Sequence, residues 1–93
     1  MKKVTLFFFI AIIASQIYSS TPEIRKLYEL YKTAENHSQK IDALLNLGFQ
    51  YQYVSKDSMV FYINKGLILA KKNNEPVMIA KGLNNLAISY QNL

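Results

Sequence analysis

LLNLGFQY at residues 44–51 returns as LNNLAISY at residues 83–90. Leu44 matches Leu83, Asn46 matches Asn85, Leu47 matches Leu86 and Tyr51 matches Tyr90, while Gly48 and Ala87 keep the same position very small. Each phrase lies 39 residues from the other. Within each, the matched apolar residues fall at i, i+3, i+4 and i+7, the spacing of one face of a helix. Self-similarity at such a period is what stacked helical units leave in a sequence, because no single unit can bury its own apolar face.

The rest of residues 21–93 agrees with that reading. Thr21-Pro22-Glu23 is a helix start, with a capping hydroxyl, a proline where a missing N–H costs nothing, and an acid for the helix dipole. Ile24, Leu27, Tyr28 and Tyr31 then form a helical stripe. Asn36-His37-Ser38 interrupts it, and Ser38 is the expected cap of a second helix carrying Ile41, Leu44, Leu45, Leu47, Gly48 and Tyr51. Asp57 is the expected cap of a third helix, which is apolar enough to predict burial on more than one side. Asn73-Asn74-Glu75-Pro76 makes a turn, with Pro76 opening a fourth helix. Helices are expected near 22–36, 39–54, 58–73 and 76–92, and no segment alternates as a strand would. The fold class is all-α.

The phrase Leu44-x-x-Leu47-Gly48-x-x-Tyr51, repeated as Leu83-x-x-Leu86-Ala87-x-x-Tyr90, resembles the first helix of a tetratricopeptide repeat. Met59, Ile63, Gly66, Leu67 and Ala70 keep the spacing of that family's second helix, with looser residue types. The chain departs from the family in a turn one residue shorter and a period longer than the usual ~34 residues. It is similar to the longer variant found in exported bacterial signalling proteins. The resemblance covers residues 39–93, and 22–36 loosely. It implies stacked antiparallel helical hairpins, an α-solenoid with about one full repeat flanked by single helices.

Residues 1–20 are a separate matter. Met1-Lys2-Lys3 precedes the apolar run VTLFFFIAIIA and then SQIYSS. A basic start, a short apolar run and a small-residue exit predict a cleaved secretory signal peptide. The run is too short for a spanning anchor, which needs about 20 apolar residues. The expected location is the periplasm or cell envelope. There is no cysteine, hence no lipidated N-terminal Cys and no disulfide.

The whole chain carries 11 Lys and Arg against 6 Asp and Glu. Beyond residue 20 the bases are scattered, with acids between most of them, whereas nucleic-acid binding wants a clustered stripe. No nucleic-acid partner is expected, and the membrane is expected to be met only through the signal peptide during export. The single histidine, His37, has only Glu35 nearby in sequence and lacks partners at metal-ligand or acid–base spacing. No catalytic residue, metal or cofactor is expected.

By the family resemblance, Asp42, Leu45, Phe49 and Gln52 from the first copy, with Lys81, Asn84, Ile88 and Gln91 from the second, would line a concave groove for a protein or peptide. Leu45 and Phe49 are not needed by the repeat's own stripe; packing against the helix at 22–36 is their other reading. They also stand where some family members carry basic residues that clamp a peptide carboxylate, so that ligand class is not implied. The expected function is a non-catalytic interaction scaffold of the envelope. The alternative is the exported sensory beginning of a larger signalling protein, such as a sensor kinase or transcription regulator. Leu83, Leu86 and Tyr90 are expected to pack back onto 58–73, leaving a forward face, with Ile88 and Leu93 near it, open to further repeats or to self-association.

Overall fold

In the computed structural model, residues 21–92 are described, and the expected signal peptide and Leu93 lie outside them. The described residues form four α-helices and no strand: α1 (Pro22–Thr33), α2 (His37–Gln50), α3 (Lys56–Lys72) and α4 (Pro76–Gln91). A single 3-10 turn, Tyr51–Tyr53, continues α2.

Local chemistry sets each boundary. The Thr21 hydroxyl accepts from Ile24 N, with Pro22 and Glu23 in the first turn of α1. The cap of α2 is Asn36, whose side chain accepts from Gln39 N at 2.9 Å, not Ser38. Asn and Ser cap almost equally well. Ser38 is drawn off by a partner distant in sequence, donating its hydroxyl proton to Glu75. Ser55 rather than Asp57 caps α3, leaving Asp57 to favour the positive end of the helix dipole. The C-terminus of α3 closes with Asn74 in the left-handed region at φ 52°. There Glu75 N donates to Ala70 O and Asn74 N to Lys71 O.

Packing follows chain order: α1 lies on α2, α2 on α3, and α4 on both α3 and α2. Gly48 meets Ile63, Leu45 meets Gly66, and Ile41 shares a cluster with Ala70. As α2 descends α3 ascends, so the two are antiparallel. Their interface holds the core cluster of Ile41, Leu45, Met59, Ile63, Leu67 and Ala70, and Leu44 and Leu47 of α2 are fully buried as well. All five residues expected on the inner face of α3 are buried.

Two glycines set the helix spacing. A Cβ on Gly48 would lie 2.9 Å from Ile63 N and 3.0 Å from Met59 O, so only glycine lets the α3 backbone come this near. A Cβ on Gly82 would stand 3.0 Å from Leu45 Cδ2 and closer still to Leu67. Leu45 therefore wedges between α3 and α4.

Three expectations are corrected. Phe61 and Ile68 are largely exposed, so α3 buries the stripe facing α2 and α4 and leaves its outer side open. Leu83 and Tyr90 stay about half exposed, with Tyr90 meeting α3 at Lys56. The packed flank of α4 carries Gly82 against Leu67, and the half-buried Met78, Ile79 and Leu86 against the core. Leu86, expected in the core, is only half-buried and sits at its edge.

Candidate partner-binding surface

The first and second copies of the phrase lie on α2 and α4, and these two helices run side by side. Ser38 pairs with Glu75, Asp42 with Lys81, and Asn92 Nδ2 donates to Gln52 Oε1 at 2.9 Å. Both members rise together along the three pairs, so the helices are parallel. The Asp42–Lys81 ion pair spans 39 residues, the offset of the repeated phrase. Asn46 Nδ2 also donates to the Asp42 carboxylate at 3.3 Å, which further holds its orientation.

The eight residues expected on the groove divide. Leu45 is fully buried beneath Gly66 and Gly82, so it belongs to the core and faces no surface. Neither of its two expected roles holds, because it turns toward α3 and α4. Gln52 is also buried, its amide donating to Phe49 O and accepting from Asn92. Asp42 and Lys81 are half-buried and satisfy each other. Ile88 is half-buried, and Asn84 and Gln91 are exposed. Phe49, half-buried, reaches toward α1, where it lines a cleft with Leu27 and Leu30.

The groove expected from sequence does not include most of that cleft. Two adjoining hollows of about 470 and 370 Å³ run between α1 and α2 and share Leu27, Leu30 and Asn46. Leu27, Leu30, Ala34, Ala43 and Phe49 supply their apolar lining, and Glu23, Lys26, Glu35 and Asp42 their charged groups. Leu30 was the available signal: it is an apolar residue off the α1 stripe, and it is half exposed here.

The opposite side is aromatic and basic. Tyr51 stacks on Tyr62 at 5.4 Å between ring centroids, and Phe61 meets the edge of Tyr62 at 5.1 Å. Lys65 lies over both Tyr31 and Phe61, and Lys40 over Tyr31. Burial, then the neighbouring Tyr51, Tyr28 and Tyr31, push the Tyr62 phenol above the usual tyrosine range. His37 is exposed in the first turn of α2. Among the described residues no three His, Asp or Glu side chains are grouped to hold a metal, and no helix is long and apolar enough to cross a membrane. Neither a family model, nor a curated protein, nor a solved structure matches this chain.

Proposed function

We propose that the chain is a non-catalytic protein–protein interaction scaffold built from stacked helical hairpins of the tetratricopeptide type. One observation carries this reading. The offset that relates the two phrases in sequence also relates them in space, through the Asp42–Lys81 pair between parallel α2 and α4. Equivalent helices placed side by side at the repeat period are the geometry of a helical solenoid, in which each unit contacts only its neighbours. The close approach at Gly48, where the family pattern calls for a small residue, supports the same reading.

On this reading the binding face runs along α2 and α4. Of the eight residues first assigned to it, Asp42, Phe49, Lys81, Asn84, Ile88 and Gln91 keep some access to solvent, and Leu45 and Gln52 support them from beneath. The partner is a protein or peptide, and the site of action is the cell envelope after removal of residues 1–20.

Site-specific photo-crosslinking in cells tests this. A crosslinker at Asn84 or Gln91 should give a discrete adduct with another protein, whereas one at Phe61 or Ile68 on the outer side of α3 should not. Equal labelling from both sides, or adducts from neither, removes the assignment of this face. The mass of the isolated chain reports independently whether residues 1–20 are cleaved.

A further inference from the structure

Two surfaces of this chain are unfilled, and the stacking proposed above makes them complementary. The first is the outer stripe of α4, where Leu83 and Tyr90 are 52% and 47% exposed and Ala87 lies beside them, also exposed. Leu83, Leu86, Ala87 and Tyr90 repeat the α2 positions Leu44, Leu47, Gly48 and Tyr51, of which Leu44, Gly48 and Tyr51 meet α3 and Leu47 is fully buried. The second is the cleft between α1 and α2. Within the chain, α2 has the antiparallel α3 on one side and the parallel α4 beside it. A helix laid in the cleft would sit against α1 as α2 sits against α3, and beside α2 as α2 sits beside α4. What the cleft lacks is a helix with an uncovered stripe, and α4 has one at Leu83, Ala87 and Tyr90.

We propose that α4 of one copy docks in the α1–α2 cleft of a second copy, head to tail, so that α1 of the second covers Leu83, Leu86, Ala87 and Tyr90 of the first. The inference rests on the stacked-hairpin reading. Charge favours it. Lys81 is the only charged residue within α4, and Asp42 already neutralises it, so α4 itself brings no unpaired charge to the cleft of Leu27, Leu30 and Phe49, where Glu23 stands with Lys26. At the start of α4 the acid Glu75 is taken up by Ser38, with Lys71 and Lys72 just before it, and Lys56 lies over the Tyr90 ring near its end. With α4 parallel to α2 of the second copy, Lys71 and Lys72 arrive at the Glu35 end of the cleft and Lys56 at the Glu23 end. The contact joins two different surfaces, so it does not close on itself at a dimer and continues into larger species unless it forms a ring.

Sedimentation velocity tests this on the chain expressed from its full sequence and purified in whatever form the cell leaves it. The wild type should show species beyond the dimer that grow with concentration. Leu83→Glu and Leu30→Glu, both at half-exposed positions, should each reduce it to monomer. An equimolar mixture of the two variants should restore a heterodimer and nothing larger, because each retains one working surface. A wild type that stays monomeric overturns the proposal. So does a dimer that Leu30→Glu leaves intact, which would be α4 against α4. So does association that survives in the double variant, which would come from residues 1–20 or another surface. NOEs between Gly82 Hα and the Leu67 methyls separate the two readings. A monomer that keeps them overturns the docking alone, and a monomer without them overturns the intramolecular stacking as well.

Discussion

Residues 44–51 and 83–90 share their spacing and half their identities, yet one is core and the other is surface. Leu44 and Leu47 are fully buried, whereas Leu83 is 52% exposed. Tyr51 stacks on Tyr62, whereas Tyr90 is flanked by Lys56. Gly48 admits a backbone, while Ala87, its counterpart, is exposed. A helical stripe is thus a capacity for packing, which a covering helix must fulfil. The same pattern has opposite energetic weight in the two places, and substitutions at matched positions measure the difference.

The largest contrast is expected at the first Leu of the phrase. Leu44→Ala should cost about 2–5 kcal/mol, the range for a fully buried leucine. Urea unfolding of the two variants reads the difference, and equal losses from Leu44→Ala and Leu83→Ala would show that α4 is covered in solution.

Gly48 and Ala87 give the next largest effect. Gly48→Ala places a methyl against the α3 backbone, and overpacking of this kind costs about 1–3 kcal/mol. The reverse change, Ala87→Gly, removes nothing that packs and should cost only the helix-propensity difference, about 1 kcal/mol. Thermal melts of both variants check the order.

The packing of Tyr51 on Tyr62 has a consequence in base. The Tyr62 phenol, buried and beside Tyr51, titrates above the ordinary value of 10.0. The unfolded chain therefore gives up that proton first. Stability from this group is complete below about pH 10 and is lost as pH rises through the raised folded value. Tyr62→Phe should flatten the decline in stability that sets in above about pH 10. Denaturant midpoints across that range decide it.

A smaller effect is expected where the two regions meet. Asp42 and Lys81 are each partly exposed, so a double-mutant cycle should give a coupling of about 0.2–1 kcal/mol that fades with added salt. Coupling that persists at high salt would place the pair in a drier setting than the half-exposed one seen here. The smallest effect is at Leu83, where Leu83→Ala should fall within about 0.5 kcal/mol at concentrations where the chain is monomeric.

Residue spacing alone determined that residues 21–92 are helical and where their four helices lie to within a few residues. Those are properties of local periodicity, legible because side chains three and four apart share a helix face. The caps at Asn36 and Ser55 were less legible, since several residues within two positions can each cap, and distant partners such as Glu75 choose between them. The surface was the least legible part. Leu45 and Phe49 both lie off the repeat stripe in sequence, yet one is sealed beneath two glycines of other helices and the other opens on a cleft with α1. Only tertiary structure decided which copy of the phrase is buried and which residues remain for a partner. The physical reason is that burial is a property of pairs of surfaces: the stripe is written in each helix, but the helix that covers it is placed by the fold.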